Sequence, residues 1–417
     1  MLHKVASLKS LSTLLQEPFP TGVRCHAFLR LTCLLVAGVF LCAYPALSYD
    51  VLCHNGNTAF EAEFHSRVLV KIGPPSQGEL AIRSCRAILS WDTHDLVVAN
   101  NAAEIDLDMF GVEVGTGEAV VAFQVKQAES ECCMRYLIYS LQKPPQLLRT
   151  IVGARYFSAA DTNLDGQVEI WTDDAAAVDG FEGLRASQLE FPPVCVLRFE
   201  DGRLVDVSSE FASHFDRTIA KLRAEINPQE LRTFKSGDGH LRAPASPTGS
   251  QRSESAPLLH VKEQILELVW AYLYSGRDKQ AWQTLSEMWP PGDVERIRSA
   301  LVERRAHGMR AQVDDVSRAH PSLDVQPSKV YEWPEHPARP IMVRFYPSAG
   351  TDNMRGKIRV NAVVDSVGKV WWVKVSSRDK AVRNSVQRSA ANWKFIPAFV
   401  DEHPVASRVR MTVSVEQ

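Results

Sequence analysis

The C-terminal end of the chain carries the clearest alternation of apolar and polar positions. Apolar side chains fill every second position from Ile358 to Val364, the pattern of a β-strand with one face on a core. Asp365-Ser366-Val367-Gly368 predicts a turn, and Val370–Val375 predicts the returning strand of a hairpin. Apolar residues then recur every three or four positions from Asp379 to Trp393, which predicts an amphipathic helix, and Val405–Val415 alternates again. We therefore expect a short antiparallel sheet with one helix packed across it.

The first half of the chain contains short apolar runs closed by Pro, Gly or Asp, which predict β-strands. The runs are Val120–Val125, Tyr136–Leu141, Leu147–Val152 and Val194–Phe199. Helical spacing is found over Phe211–Ile226, Val261–Tyr274, Lys279–Met288 and Val294–Arg305. The predicted fold class is α+β multidomain, with an N-terminal β-rich domain, a helical middle and the C-terminal sheet with one helix.

Two segments rich in Ser, Gly or Pro divide these regions. Residues 236–257 predict a flexible linker, and residues 313–339, with four prolines, predict a stiffer connector. The resulting organisation is a leader over 1–48, a β-rich domain over 49–235, a helical segment over 258–312 and the C-terminal module over 340–417.

A set of short motifs in the C-terminal module suggests a family. Trp393-Lys394-Phe395-Ile396-Pro397-Ala398 follows Gly368-Lys369-Val370 and Ser376-Ser377, and it precedes Pro404-Val405. In this order the motifs resemble the C-terminal domain of the TonB energy-transducer family, over about residues 340–417. The alternation by itself assigns Trp393, Phe395 and Pro397 to the core and corners of the module.

The resemblance implies a protein partner. In this family the closing strand, here Val405–Val415, can accept a strand from an outer-membrane receptor, and an unpaired sheet edge suits such pairing. Arg408 and Arg410 alternate with apolar residues there, so one face could meet an acidic envelope or outer-membrane protein. The alternative is that both arginines only protect the edge from aggregation.

The N-terminus predicts export. Nineteen uncharged, mostly apolar residues, Leu31–Tyr49, follow a positively charged lead, and Ala46 and Ser48 have the spacing of a signal-peptidase site. Cleavage after Ser48 would leave the protein periplasmic or secreted. Without cleavage, residues 31–48 would anchor it in the inner membrane with periplasmic domains, and this segment would be its membrane contact.

Five cysteines lie beyond the leader: Cys53, Cys85, Cys132, Cys133 and Cys195. Export permits disulfides, and Cys53–Cys85 is the pairing to test first. Adjacent cysteines such as Cys132 and Cys133 rarely bond, and on a strand they would point to opposite faces.

One loop has the composition of a metal site. Oxygen-bearing side chains occupy loop positions 1, 3, 5 and 9, position 7 can offer its carbonyl, and Gly166 stands at position 6 where the chain must turn. These ligand candidates are Asp161, Asn163, Asp165, Gln167 and Glu169. Hard oxygens in this arrangement suit Ca²⁺ in a structural role. The loop resembles those of FG-GAP and VCBS repeats, although only one copy is present and Thr172 replaces the bidentate Glu of an EF-hand.

Two alternatives remain open for this loop. It could be a solvated Asx-rich turn that ends at its glycine. Asp173, Asp174 and Asp179, a few residues downstream, could add a ligand or only charge.

The helical segment resembles a single tetratricopeptide hairpin. Leu268, Tyr272, Gly276, Ala281 and Leu285 occupy its small and large positions. The tryptophans of this segment, Trp270, Trp282 and Trp289, are assigned to its core.

Charge and motifs narrow the function. A net charge of −2 with both signs scattered argues against nucleic-acid binding, and no catalytic motif is found. The sequence favours a non-enzymatic cell-envelope protein that acts as a scaffold or transport-coupling module. The alternative is a secreted hydrolase with its site in the β-rich domain, which a pocket holding a coupled acid–base pair would favour.

Overall fold

Two large sheets, a group of helices and a C-terminal α+β module make up the described part of the chain. The computed structural model describes residues 52–56, 59–75, 84–128, 132–240, 249–317, 329–332, 341–344, 356–401 and 403–415. All of these belong to one unit, Asp50–Gln417. The predicted leader over residues 1–48 lies outside the described residues, as do residues 241–248, 318–328 and 333–340 of the predicted connecting segments.

The first sheet has eight described strands in the order β2-β3-β4-β5-β6-β7-β8, with β1 paired to β5. They are β1 (Cys53–His54), β2 (Phe60–Glu63), β3 (Leu69–Gly73), β4 (Cys85–Trp91), β5 (His94–Glu113), β6 (Ala119–Gln127), β7 (Met134–Ser140) and β8 (Leu147–Ala154). Every pairing in this sheet is antiparallel.

The central strands of this sheet are buried on both faces. In β6, Val120 and Ala122 belong to one core, and Val121 and Phe123 belong to another. Successive side chains of a strand point to opposite faces, so a strand between two cores needs apolar residues at every position. This explains the unbroken apolar run at Val120–Val125.

The second sheet follows the order β13-β12-β11-β10-β9. Its strands are β9 (Phe157–Ala160), β10 (Glu169–Asp173), β11 (Val194–Glu200), β12 (Arg203–Asp206) and β13 (Asp315–Val316). The last strand pairs with β12 in parallel. Asp315–Val316 therefore adds an edge strand at a place where the sequence predicts a connector.

The helices share a hydrophobic core with the second sheet. They are α1 (Ala175–Val178), α2 (Ala212–Glu225), α3 (Pro228–Lys235), α4 (Gly249–Tyr274), α5 (Asp278–Met288) and α6 (Val294–His307). Short 3₁₀ turns occupy Phe181–Gly183, Ala186–Gln188, Ser208–Phe211 and Met309–Gln312. One core contains Ile170 and Leu197 of the sheet together with Trp270 and Trp289 of the helical segment.

The helical segment confirms the predicted helices and extends one of them. Helix α4 begins at Gly249, inside the range predicted as a flexible linker, and Pro257 lies within it. Trp270 and Trp289 are buried core residues, as the sequence predicts. Trp282 is half-buried, and the Arg298 guanidinium lies 5.1 Å from its ring centroid.

The C-terminal module has the predicted sheet and helix. Its elements are β14 (Ile341–Arg344), β15 (Gly356–Val364), β16 (Val370–Ser376), α7 (Lys380–Ala390), β17 (Lys394–Ile396), β18 (Ala398–Val400), β19 (His403–Val405) and β20 (Ser407–Val415). The main sheet has the order β16-β15-β20, and α7 packs on β16. Trp393 and Phe395 are buried in the core between them, as predicted.

The turn of the predicted hairpin requires its glycine. Gly368 has φ +89°, and a Cβ placed on it would lie 1.8 Å from the Phe395 carbonyl oxygen. A side chain at this position would therefore break the contact between the turn and β17.

The cysteines give one confirmed prediction and one correction. Cys53 and Cys85 form a disulfide with a Cα–Cα distance of 5.9 Å, as predicted. Cys132 and Cys133 are also bonded to each other, against the expectation. The argument from strand alternation does not apply to them, because both precede β7, which begins at Met134. Cys195 is a buried free thiol.

Candidate functional site

The candidate calcium loop connects two strands of the second sheet. It begins at Asp161, directly after β9, and ends at Glu169, the first residue of β10. Leu164 has φ 59° and a buried side chain, which fixes the tip of the loop to the core. Gly166 has φ 86°, so the sharp turn predicted at loop position 6 is present.

Three of the predicted ligands fold the loop on itself. The Asp161 carboxylate oxygen Oδ2 accepts a hydrogen bond of 3.1 Å from the Gly166 backbone N–H. Asn163 Oδ1 accepts from the Asp165 backbone N–H at 3.2 Å, and Asp165 Oδ1 accepts from the Gln167 backbone N–H at 2.7 Å. Asp161, Asn163 and Asp165 are thus held in one turn, which an ordinary Asx-rich turn would also do.

Glu169 closes the other side of the loop. Its side chain is 0% exposed, and its Oε2 accepts a 2.9 Å hydrogen bond from the Thr162 backbone N–H. Arg198 Nη1 lies 3.9 Å from Glu169 Oε1, which is close enough for an ion pair and too far for a hydrogen bond. The Arg198 guanidinium instead donates hydrogen bonds to Glu200 and Glu210.

Two oxygens of the loop distinguish it from an ordinary turn. Asp161 Oδ1 and Glu169 Oε1 are buried and accept no hydrogen bond from any described residue. Leaving a buried polar atom without a partner costs roughly 1–3 kcal/mol, and more for a charged group. Such atoms are rare in native proteins and need a physical explanation.

The carboxyl groups of the loop have raised pKa values. Burial, and then the negative charge of Asp365, raise the pKa of Asp161 to about 6. Burial is also the largest cause of the pKa of about 7 for Glu169, and the charges of Asp165 and Asp161 raise it further. Burial and the neighbouring negative charges therefore outweigh the hydrogen bonds that favour the anionic forms of both groups.

The oxygen donors of the loop are of the type that Ca²⁺ prefers, but their side chains are not arranged around one point. The loop offers three carboxylates, the Asn163 amide oxygen and the carbonyl of the exposed Gln167, all hard oxygens. In the part of the chain that the structure describes, no three or more His, Cys, Asp or Glu side chains form a group that could hold a metal ion. Binding would therefore require the side chains of Asp161, Asp165 and Glu169 to close around the ion.

The three aspartates downstream of the loop have other partners. Asp173 accepts hydrogen bonds from the backbone and side chain of Arg155. Asp174 caps α1 and accepts from the Tyr274 hydroxyl at 2.6 Å. Asp179 accepts from the Ala186 backbone N–H. Each therefore has a structural role, and these contacts give no support to a further ligand.

Sequence reasoning missed the groups that contact the loop from the C-terminal module. The Asp161 backbone N–H donates to Asp365 Oδ2 at 3.2 Å, and the Ser366 hydroxyl donates to Asp161 Oδ2 at 3.3 Å. Trp371 Nε1–H donates to the Thr162 carbonyl oxygen at 3.2 Å. The turn at Asp365 was predicted, but no local pattern could place it 204 residues away in sequence against Asp161.

The predicted partner-binding residues lie on an edge strand. Of the described strands, only β15 pairs with β20, so β20 is an edge of its sheet. Arg408 and Arg410 are exposed, and the intervening Val409 packs on the core, as the alternation predicts. The Arg408 side chain lies 3.1 Å from the Glu332 carboxylate.

The start of this edge is already occupied. The Tyr331 backbone N–H donates to the Ala406 carbonyl, and the Arg408 N–H donates to the Tyr331 carbonyl, each at 2.9 Å. Because peptide groups alternate in direction along a strand, the N–H groups of Arg410 and Thr412 point to the same outer side as that of Arg408. The backbone of Arg408 is therefore paired with Tyr331 of the same chain, whereas the N–H groups of Arg410 and Thr412 lie beyond this pairing.

Comparison of the chain with protein-family models, with curated proteins and with solved structures found no significant match. Among the described residues, no helix combines the length and the apolar character that a membrane crossing needs.

Proposed function

We propose that this chain is a non-enzymatic protein of the cell envelope, with a structural calcium loop at Asp161–Glu169 and a TonB-like C-terminal module that binds another protein. The observation that carries the calcium assignment is the pair of buried carboxylate oxygens, Asp161 Oδ1 and Glu169 Oε1, without a hydrogen-bond donor among the described residues.

A cation accounts for these two oxygens better than an ordinary turn does. Asp161 and Glu169 are 1% and 0% exposed, so solvent does not compensate their charge. A divalent ion would supply that charge and would use lone pairs that no N–H group occupies. The remaining donors, Asn163, Asp165 and the Gln167 carbonyl, belong to the same turn.

The interaction role is supported by the free part of the β20 edge. Beyond Tyr331, the outward peptide groups at Arg410 and Thr412 could pair with an added strand, and main-chain hydrogen bonds would supply the affinity. The exposed guanidinium groups of Arg408 and Arg410 favour an acidic partner. An envelope or outer-membrane protein is the partner that the TonB resemblance implies.

Export is supported by the disulfide chemistry. The bond between Cys53 and Cys85 closes a separation of 32 residues, and such bonds persist in oxidising compartments. We infer a periplasmic or secreted protein, or, if residues 31–48 are retained, an inner-membrane anchor with periplasmic domains.

The alternative, a secreted hydrolase, has one observation in its favour. Asp161 and Glu169 are neighbouring carboxyl groups with raised pKa values in the β-rich region, a property that acid–base catalysts share. A catalytic pair must touch its substrate, however, and these side chains are 1% and 0% exposed. Their burial favours a small ion as the ligand.

Thermal unfolding with and without Ca²⁺ tests the calcium loop. An ion that binds only the folded state stabilises it by about 2.7 kcal/mol at a concentration of 100 Kd, so the Tm should rise as Ca²⁺ is added. Asp165→Ala should abolish this rise. Asp95→Ala, which removes an exposed carboxylate from β5, should keep it. A wild-type Tm that does not respond to Ca²⁺ would make the loop an ordinary turn.

A pull-down from envelope extract tests the interaction edge. Arg408→Glu with Arg410→Glu should lose partners that the wild-type chain retains. The control is Lys374→Glu with Arg378→Glu, which should keep these partners. It makes the same charge change at exposed positions in and just after β16, the strand at the other edge of the sheet. Unchanged partners after the first double reversal would exclude β20 as the docking edge.

A further inference from the structure

The calcium loop is also a docking point for the C-terminal module. The turn after β15 lies against it, with Asp365 only 1% exposed and Ser366 8% exposed. Both residues contact Asp161, which is the first ligand candidate of the loop. Asp365 accepts a hydrogen bond from the Asp161 backbone N–H, and the Ser366 hydroxyl donates one to the Asp161 carboxylate. The same side chain thus belongs to the candidate ion site and to the contact with the C-terminal module.

This contact brings like charges together. Asp161 and Asp365 are both buried aspartates, and each repels the other wherever both are ionised. Lys369, on the same turn, partly offsets the charge of Asp365, although its Nζ also donates to Ser158 Oγ and lies 3.9 Å from Asp108. The two orphan oxygens, Asp161 Oδ1 and Glu169 Oε1, lie in the same loop.

We propose that Ca²⁺ binding to the loop and docking of the C-terminal module are coupled, because Asp365 adds its negative charge to the ion site and the bound ion strengthens the contact between Asp161 and the Asp365–Gly368 turn. This inference rests on the proposed calcium function. Coupling between two sites is reciprocal, so the docked turn must raise the Ca²⁺ affinity by the same factor as Ca²⁺ raises the stability of docking. Typical couplings lie in the range of about 5–150-fold in affinity.

The structure offers a conservative variant for this test. Asp365 Oδ1 accepts from the backbone N–H groups of Val367 and Lys369, which shape the turn. Asp365→Asn keeps a carbonyl oxygen for these two bonds, removes the charge, and replaces the oxygen that accepts from the Asp161 backbone N–H by an amide nitrogen, so both parts of the proposed coupling are weakened. Asp401→Asn is the matched control, since it removes one charge from an exposed position of the same module whose φ of 49° suits Asn.

The measurement is a Ca²⁺ titration of the full-length chain followed by tryptophan fluorescence. Trp171 Nε1–H donates to Thr162 Oγ1, and Trp371 Nε1–H donates to the Thr162 carbonyl, so both rings report on the loop. We expect Asp365→Asn to weaken Ca²⁺ binding about tenfold, within the usual range of coupling. Asp401→Asn should bind like the wild type.

Hydrogen exchange on the wild-type chain gives a second readout that needs no variant. Ca²⁺ should slow exchange at Val367 and Lys369, whose N–H groups donate to Asp365. If wild type and Asp365→Asn bind Ca²⁺ equally, or if Ca²⁺ leaves exchange in the turn unchanged, the coupling is refuted while the calcium loop stands. If the wild-type chain does not bind Ca²⁺, the calcium function and the coupling both fail.

Discussion

Replacing Lys394 by methionine should weaken the contact between the C-terminal module and the first sheet. Lys394 Nζ donates a 2.7 Å hydrogen bond to Asp108 Oδ1, and the two residues are 286 positions apart. Asp108 also accepts from the Tyr136 hydroxyl and the Ala159 backbone N–H, each at 2.7 Å. Burial would raise the pKa of Asp108, but the charges of Lys394 and Lys369, together with the hydrogen bonds from Lys394 and Ala159, outweigh burial and lower that pKa. The carboxylate is therefore ionised and depends on its lysines.

The size of the effect follows from burial. The side chains of Asp108 and Lys394 are 4% and 13% exposed, and removing one partner of a buried ion pair costs about 3–5 kcal/mol. Lys369 remains 3.9 Å from Asp108 Oδ1, so we expect the lower end, about 3 kcal/mol. Unfolding the unit Asp50–Gln417, which is 417 − 49 = 368 residues, has an entropy of roughly 0.8 kcal/mol/K, so the expected fall in Tm is about 4 °C.

The assay is a double-mutant cycle with Lys394→Met and Asp108→Asn, read by thermal unfolding. The double variant should lose less than the sum of the single losses, because each change removes the same pair. Lys374→Met, at an exposed position of β16, is the control for methionine substitution and should leave the Tm within about 1 °C of wild type. Equal Tm values for Lys394→Met and this control would refute the docked arrangement.

Two further predictions concern the rest of the fold. Burial raises the pKa of Glu267 from 4.5 to about 7, so the wild-type chain loses stability as the pH rises through this interval, by up to about 3 kcal/mol. Glu267→Gln stays neutral, so its Tm relative to that of the wild type should be higher at pH 8 than at pH 5. An equal Tm difference at the two pH values would contradict the raised pKa of Glu267. Replacing Cys53 and Cys85 by alanine opens a separation of 32 residues and should cost about 4 kcal/mol in the chain-entropy model. A urea midpoint unchanged by that double variant would show that the bond does not form.

Local sequence patterns were sufficient to predict elements that pack on their neighbours in sequence. The hairpin at Ile358–Val375 and the helix that begins after Asp379 are present because period and turn chemistry determine both. Asp379 caps that helix by accepting from the N–H groups of Ala381 and Val382. The sequence could therefore predict the module, although not where the module docks.

Composition was a weaker guide to connecting segments. Residues 249–257 are rich in Ser and contain Pro257, yet they belong to α4, whose later residues are buried from Val261 onward. Burial of the apolar part of a helix can extend it into a segment of poor intrinsic propensity. Asp315–Val316 likewise gains its strand from the exposed edge of β12, which a local pattern does not reveal.

The turn geometry of the candidate loop was predictable from the sequence, and its surroundings were not. The spacing of Asp161, Asn163, Asp165 and Glu169 identified the loop, and Gly166 adopts the expected positive φ. The contact with Asp365 depends on tertiary packing across 204 residues. Such contacts leave no periodicity in the sequence.

The calcium content of the wild-type chain tests the central claim most directly. The chain is equilibrated with Ca²⁺ and freed of unbound ion, and bound calcium is measured per chain together with a direct calorimetric titration. We predict one Ca²⁺ per chain, bound saturably, and loss of that ion in Asp165→Ala. A wild-type chain that retains no calcium and gives no binding heat would contradict the account, and Asp161 Oδ1 and Glu169 Oε1 would then need another explanation.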